Sequence, residues 1–504
     1  MGVTSLAFAG FVLGVLTLYY LLPHYRAQNL LLLAGSYIFL ASWDIRFAVV
    51  FFVLTVGTFW LAQQIARLDA DQSPPVNRTG HRPGQQSGRR AANRALYAGI
   101  ALNVAALLYF KYTGFFVTQA TNAVRHLGIN ADTGGLSFWL PVGLSFYVVQ
   151  VIAYLLDVHK GIVQPTTNPV TFALYMVYFP RVVSGPIERA RDLIPQLEGE
   201  RTITNEQLNA SLTLLLQGLV RKIVIADLLF LSIPDGIFDQ PRDFSSPELV
   251  IWLLVYAFAL YNDFAGYTTV VRGVSGLFGI RLVKNFTAPY TARSFSDFWQ
   301  RWHISLSLWL RDYIFLPLTR ALLRRRRMRL SMLLPPLVTM LVSAMWHNLS
   351  WSMMVWGVLH GLYQVAERWQ SMRRPAARGI ALGTSVWRQR LAGLLVFVLV
   401  VLAWIPFRTT LTATADYLVG LFSPVRWLDG GADAGEIINT LTVSAALLIG
   451  LSFVLDRLQP SDEQVLRERS PLVKALVINA ALFAIILAAI AQQDTPPPFV
   501  YQGF

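Results

Sequence analysis

Residues 248–271 read ELVIWLLVYAFALYNDFAGYTTVV and form an almost continuous apolar run. A helix needs about 20 mostly apolar residues to cross a membrane, and this stretch provides them. Similar apolar runs recur along the chain and predict an all-α polytopic membrane protein with 11 to 13 membrane-entering helices. Some runs are short, which indicates tilted, re-entrant, interfacial or bundle-buried helices. The runs lie at 5–22, 29–42, 45–66, 96–117, 137–157, 207–231, 248–271, 331–346, 351–366, 391–407, 437–455 and 472–491.

The composition supports the same fold class. The chain has 504 residues, of which 55% are hydrophobic and 14% are charged. Soluble domains carry about 25% charged residues, so much of this surface does not face water. We therefore expect one membrane-embedded domain over residues 1–504, with additional C-terminal helices at about 437–491. The first run, 5–22, lacks a basic segment before it and is predicted to be a retained helix.

The net charge of +14 comes from basic residues that lie between apolar runs, at 67–94, 324–329 and 373–390. The positive-inside rule places such loops on the cytoplasmic side of the membrane. This pattern argues against nucleic-acid binding. Docking of a donor carrier or of anionic lipid is an alternative use of these loops.

Several chemistries are excluded by absent residues and motifs. The chain has no cysteine, which excludes disulfides, thiolate-bound metal and an S-acyl intermediate on this chain. It contains no phosphate-binding loop, dinucleotide fingerprint, nucleophile elbow or metal-ligand spacing. We predict no metal site and no bound cofactor.

His347 is the first candidate for catalysis. The arms 331–346 and 351–366 lie between two basic loops and hold about 16 residues each, roughly 24 Å of helix. This is less than the roughly 30 Å apolar core, so the apex Trp346-His347-Asn348 is predicted to lie inside the membrane, beside protein or a cavity. A neutral imidazole there suits a general base, although a buried structural histidine remains an alternative.

A second candidate, His303, lies in residues 294–318, which are predicted to form one amphipathic helix with an aromatic face. Ser294 and Asp297 give it a capping-box-like start. This helix is either an interfacial anchor or part of a cavity wall in which His303 faces a substrate channel. The polar stripe consists of Ser296, Gln300, His303 and Ser307.

Asp263 follows an apolar run and must be paired, protonated or hydrated, because a carboxylate at the bilayer centre costs about 2.5–3.5 kcal/mol. Arg272 is one candidate partner, and structural pairing remains as open as catalysis. The breaks at Pro180 and Gly185-Pro186 in 179–189 are typical of a binding site or an ordinary loop.

Together these segments resemble the membrane-bound O-acyltransferase family, most closely its bacterial branch of alginate O-acetylases and D-alanyl transfer proteins. The similarity covers about residues 5–410 and is densest at 298–313. One departure is Asn348, where this branch often has glycine. The matching segments are Leu140–Tyr147, Ser184–Ile187, Tyr261–Tyr267, Asn285-Phe286, Pro289-Tyr290, Phe298–Ser307, Trp309–Tyr313 and Met345–His347.

The resemblance implies residue roles that spacing alone does not. It implies that His347 is catalytic, that His303 is a second polar residue of the channel, and that the helices form a ring around a central funnel. The donor, acetyl-CoA or another acyl thioester, would approach from the cytoplasm and the acceptor from the opposite side. We add as substrate-channel candidates Asp263, Asn262, Gln300, Ser307, Trp346 and Tyr267.

The expected reaction is acyl transfer, of acetyl in the first place, to hydroxyls of an exported polysaccharide such as alginate. Expected partners are membrane lipids, the polysaccharide, and either an extracytoplasmic acetyltransferase or an acyl carrier protein. Two alternatives stay open. One is D-alanyl transfer from a carrier protein to teichoic acid, and the other is a transporter or flippase of a lipid-linked glycan.

Overall fold

The computed structural model describes residues 1–70, 84–127, 139–373, 386–428, 440–458 and 471–492. Within these ranges the regular structure is entirely helical, which confirms the predicted all-α class. Parts of the basic stretches 67–94 and 373–390 lie outside the described residues, namely 71–83 and 374–385, and so does the tail 493–504.

The chain divides into two compact units, the first formed by Met1–Ser211 and Val271–Val283 and the second by Leu212–Val270 and Lys284–Phe504. A single π-helical turn, Leu108–Tyr112, continues α4 into α5 in the first unit. The helices of this unit are α1 Leu6–Leu21, α2 Tyr25–Ala41, α3 Ile45–Ala70, α4 Gly84–Leu107, α5 Thr113–His126, α6 Leu144–His159, α7 Pro169–Val177, α8 Ala190–Leu197 and the start of α9 Asn205–Leu219.

The second unit carries the histidine-containing motifs. Two π-helical segments, Val220–Asp227 and Arg311–Phe315, interrupt its helices, and 3₁₀ turns lie at Pro241–Asp243 and Pro289–Thr291. Its helices are α10 Leu228–Ser232, α11 Ser246–Leu277, α12 Phe295–Arg301, α13 Ile304–Leu310, α14 Leu316–Arg324, α15 Met328–His347, α16 Trp351–Arg373, α17 Val386–Arg408, α18 Leu411–Phe422, α19 Pro424–Leu428, α20 Thr440–Leu458 and α21 Pro471–Ala491. The end of α11, from Val271, belongs to the first unit.

Six segments in the described ranges are long and apolar enough to cross a membrane. Three shorter apolar helices accompany them, at Leu6–Leu21, Leu144–His159 and Leu411–Phe422. The protein is therefore a multi-pass membrane protein, while the count of 11 to 13, the funnel and the single domain over 1–504 stay predictions. The six segments are Ile45–Asp69, Gly88–His126, Ser246–Leu277, Met328–His347, Val386–Arg408 and Leu472–Ala491.

The helical hairpin formed by α15 and α16, whose first arm ends at His347, has longer arms than the apolar runs predicted. α15 has 20 residues and α16 has 23, about 30 and 35 Å at about 1.5 Å per residue. The predicted arm lengths are therefore wrong, and the position of the apex inside the membrane stays a prediction. The apolar pattern misjudged the ends because α15 starts within the basic stretch at Met328 and α16 continues through polar residues to Arg373.

The break at residues 178–189 is real and well packed. α7 ends at Val177, α8 starts at Ala190, and residues 178–188 between them are all buried. The Arg181 guanidinium donates to the Gln150 side-chain oxygen and to the Tyr175 carbonyl. Glu188 accepts the Val283 amide at 2.7 Å. The segment is a buried loop of the first unit in which the Arg181 guanidinium and the Glu188 carboxylate have protein partners, and a ligand-binding role stays a prediction.

Replacing Gly143 with alanine should destabilise the first unit. Gly143 caps α6 in the left-handed region with φ +87°, and an added Cβ would lie 2.1 Å from the Val182 carbonyl oxygen. Strain and overpacking together should lower the unfolding free energy by about 2 kcal/mol or more. The measurement is thermal unfolding of the detergent-solubilised protein. Gly161→Ala is the control, because Gly161 has φ +68° with no atom within 4 Å of the added Cβ. Equal losses in both variants would contradict the clash.

Candidate functional site

His347 is buried by aromatic side chains at the last residue of α15. Only 3% of its surface is exposed. Its imidazole centroid lies 4.8 Å from the Trp346 ring, 5.5 Å from Phe407 and 5.8 Å from Trp356. Asn348 follows in extended backbone, with φ −157° and ψ 146°, and its amide donates to the Ala344 carbonyl at 3.0 Å. Any residue adopts that backbone, so asparagine replaces the glycine of this branch without local strain.

His303 sits at a sharp break between α12 and α13, with φ +43° and ψ 54°. The next two amides turn away from the helix. Ile304 donates to the Asn285 backbone carbonyl at 2.9 Å, and Ser305 donates to the Asn285 side-chain oxygen at 3.0 Å. The imidazole is fully buried. Burial lowers the pKa of His303 to about 3, so the ring is neutral at physiological pH.

This break corrects the predicted continuous helix over 294–318. Asn285 lies outside that stretch and supplies the competing hydrogen bonds, so no local period in 294–318 could indicate the break. The helix start is as predicted, because the Ser294 hydroxyl accepts the Asp297 amide. The polar stripe is not formed. Gln300 is exposed, His303 is buried, and the half-buried Ser307 donates its hydroxyl to the Trp302 carbonyl at 3.0 Å.

Trp346 connects the two candidate catalytic histidines. Its indole lies 4.8 Å from the His347 ring and 6.0 Å from the His303 ring, and 7% of it is exposed. The Phe264 ring also makes an edge-on contact with His303, and the two ring centroids are 4.8 Å apart. The structure therefore brings His303, Trp346 and His347 together, although they come from two segments of the sequence.

Asp263 belongs to a buried ion-pair cluster. The Lys222 ammonium lies 2.8 Å from Asp263 and 2.5 Å from Asp227, and all three side chains are at least 95% buried. The predicted partner Arg272 instead donates to the Leu282 carbonyl at 3.4 Å. Lys222 and Asp227 are five residues apart in the π-helical segment Val220–Asp227. Hydrogen bonding at i→i+5 brings such residues to one face, a spacing that an α-helical reading does not predict.

Asn262 occupies the neighbouring polar cluster. Its side chain accepts from the Arg221 guanidinium at 2.9 Å and donates to the Ser452 hydroxyl at 2.9 Å. Asp456 accepts from Arg221 at 2.7 Å and from the Tyr261 hydroxyl at 2.6 Å. These contacts attach α20 to α11, so this C-terminal helix is part of the second unit's polar core. Roles of Asn262 and Asp263 in a substrate channel stay predictions.

Tyr267, the remaining channel candidate, is 3% exposed on α11, beside Gly266. An added Cβ at Gly266 would lie 2.7 Å from the Lys222 amide nitrogen, so glycine permits the close approach of α11 to the π-helical segment. The Tyr261–Tyr267 motif therefore has a packing explanation beside any functional one.

His360 and Phe407 adjoin the site but had no role in the sequence prediction. His360 is fully buried on α16, and its ring lies 4.8 Å from Trp356, one helical turn earlier. Neither of its ring nitrogens has a hydrogen-bond partner among the described residues. The i, i+4 spacing of Trp356 and His360 could have indicated a shared face. Nothing local pairs Phe407 with His347, because they are 60 residues apart.

The chemistry available is that of imidazoles in an apolar, aromatic setting. An uncharged imidazole can take a proton from a hydroxyl. Among the described residues no group of three or more histidine, cysteine or acidic side chains could hold a metal ion.

The chain is similar to known membrane-bound O-acyltransferases. A family model for membrane-bound O-acyltransferases matches residues 164–401, which include His303, His347 and His360. The chain is 34% identical over 434 residues to a probable alginate O-acetylase of Azotobacter vinelandii, covering 86% of this chain and 80% of that protein. It is 30% identical to a peptidoglycan O-acetyltransferase of Helicobacter pylori, covering 68% of each chain.

A more distant relative is a teichoic acid D-alanyltransferase of Streptococcus thermophilus. It is 28% identical over 243 residues, covering 46% of this chain and 57% of that protein. The similarity to the alginate and peptidoglycan proteins is both higher and longer. The predicted family and enzyme class are thus confirmed, and the chain belongs to the membrane-bound O-acyltransferase family and is an O-acyltransferase.

Proposed function

We propose that this enzyme moves an acetyl group from a cytoplasmic acyl thioester, acetyl-CoA or an acyl carrier, toward hydroxyls of an exported polysaccharide such as alginate. The observation that carries the proposal is the buried His347–Trp346–His303 cluster, in a chain similar to O-acetylases over most of its length. The enzyme would work in a bacterial cytoplasmic membrane, with the donor and acceptor on opposite sides.

In the proposed step, His347 is the general base. Its imidazole takes the proton of the acceptor hydroxyl as the oxygen attacks the thioester carbonyl carbon. The C–O bond forms, the C–S bond breaks, and the leaving thiolate takes the proton back from the imidazolium, so charge and protons balance. A relay through an acyl-His347 intermediate is a variant of the same step. Neutral His303 would position or polarise the reacting groups.

Two other functions make different demands. A D-alanyl transferase would need a D-alanyl carrier protein as donor, and the similarity to teichoic acid D-alanyltransferases covers less than half of the chain. A transporter or flippase would move an intact glycan without consuming any thioester. Transfer through a separate extracytoplasmic acetyltransferase would require that partner for product formation.

The test is acyl transfer by purified protein in liposomes. We expect labelled acetyl-CoA to yield free CoA and acetyl ester on alginate oligosaccharide. The assay is run first without and then with a periplasmic extract, which would supply a separate extracytoplasmic acetyltransferase. Consumption of D-alanyl carrier protein alone would favour the D-alanyl alternative. Glycan movement without thioester consumption would contradict acyl transfer altogether.

A further inference from the structure

The walls of the site around His347 are bulky aromatic rings contributed by different helices. Phe407 lies at the end of α17 and is 4% exposed, and Trp356 lies on α16 and is 1% exposed. Their ring centroids are 5.6 Å apart, and each also contacts the His347 ring, at 5.5 and 5.8 Å respectively. Trp404 packs on both rings, and its ring centroid lies 5.1 Å from that of Phe407 and 6.4 Å from that of Trp356.

At these separations the Phe407 and Trp356 rings pack directly on the imidazole and on each other. Aromatic rings whose centroids are about 4.5–7 Å apart are in packing contact. Reacting atoms must come within about 3–3.5 Å of each other. The hydroxyl that His347 deprotonates attacks the acyl carbonyl, so this carbonyl lies beside His347 during transfer. The chain attached to that carbonyl then extends among these rings, and close-packed protein tolerates added methylenes poorly.

We propose that Phe407 and Trp356 determine acyl-chain length and restrict the enzyme to acetyl-sized groups. This inference rests on the proposed acetyl transfer and adds the residues that select the donor. Trp346 is a weaker candidate for this role because its indole also contacts His303, at 6.0 Å, so changing it would disturb both histidines. Phe407 lies beyond the part of the chain that the family model matches, which ends at residue 401.

The variants that test the inference are Phe407→Ala, Phe407→Leu and Trp356→Phe. Phe407→Ala removes about six carbon atoms beside His347, more than the extra carbons of a butyryl chain. Values of kcat/KM are measured with acetyl-, propionyl- and butyryl-CoA as labelled donors. Each methylene in a tight pocket changes discrimination about 10-fold or more. We expect the wild type to prefer acetyl, and the butyryl-to-acetyl ratio to rise at least about 10-fold in Phe407→Ala and less in Phe407→Leu.

The matched control is Phe238→Ala, which removes the same atoms elsewhere in the second unit. Phe238 is 3% exposed and packs on Tyr256 at 5.0 Å and Tyr417 at 5.4 Å. It should lower stability without changing the donor ratio. A gain in butyryl transfer cannot result from partial unfolding, and Phe407→Leu retains most of the volume if Phe407→Ala folds poorly.

The outcomes separate this inference from the proposed function. Acetyl transfer by the wild type, with unchanged donor ratios in Phe407→Ala, Phe407→Leu and Trp356→Phe, would overturn the role of the aromatic wall and leave acetyl transfer intact. Equal use of acetyl and butyryl by the wild type would do the same. No transfer from any of the three donors would overturn the proposed use of acyl-CoA itself.

Discussion

Replacing His347 with alanine should abolish acyl transfer while the protein still inserts into the membrane. A general base contributes about 10²–10⁴-fold to a rate, and a nucleophile contributes more, so we expect a loss of at least about 10³-fold in kcat. His347 has 3% exposure and packs on Trp346, Trp356 and Phe407, so no other base can occupy its position without repacking. The measurement is labelled acetyl release from the thioester and its recovery as ester.

Two further variants make this result interpretable. His347→Gln keeps a polar side chain of similar length but cannot act as a base near neutral pH, and it should be as inactive as the alanine variant. His126→Ala is the matched control, because His126 is an exposed histidine at the end of α5 in the other unit. It should retain full activity. Activity of His347→Ala within a few-fold of the wild type would remove His347 from the mechanism.

Replacing Lys222 with methionine should cause the largest loss of stability among single changes in the second unit. The Lys222 ammonium forms ion pairs with Asp227 and Asp263, at 2.5 and 2.8 Å, and the two carboxylates are 2% and 0% exposed. Removing one partner of a buried ion pair costs about 3–5 kcal/mol because it leaves an uncompensated charge. We expect a low yield of folded protein and a strongly reduced unfolding temperature in detergent.

The cause can be separated from the loss of one long side chain. Arg329→Met removes an exposed cation at the start of α15 and should change little. The triple variant Lys222→Met, Asp227→Asn, Asp263→Asn removes the unpaired negative charges and should recover most of the lost stability. If Lys222→Met were as stable as Arg329→Met, the ion pairs would have no net stabilising role.

Local sequence was sufficient for most helices and for the main chemical candidates. The apolar runs at 248–271 and 391–407 predicted α11 and α17, because burial in lipid or protein requires the same composition along the whole segment. The adjacent pair Trp346-His347 needed no folding information to be placed side by side. The start of α12 was predicted from Ser294 and Asp297 alone, since a helix cap acts over three residues.

Features that depend on distant partners could not be predicted. His303 leaves the helix because Asn285 offers hydrogen bonds to the amides of Ile304 and Ser305. Asp263 pairs with Lys222, 41 residues earlier, because a π-helical segment turns Lys222 and Asp227 to one face. An α-helical period assigns those residues to different faces, so the local sequence indicates Arg272 as the partner instead.

The amino-acid sequence alone predicts an all-α membrane protein, its family, and the histidines that we propose carry its chemistry. These depend on composition and on short motifs, which are local properties. Two features follow only from the tertiary structure. The Trp346 indole contacts both His303 and His347, and Phe407, 60 residues from His347, packs on the His347 ring. Side-chain packing depends on which helices meet and in what register, and no single segment of the chain contains that information.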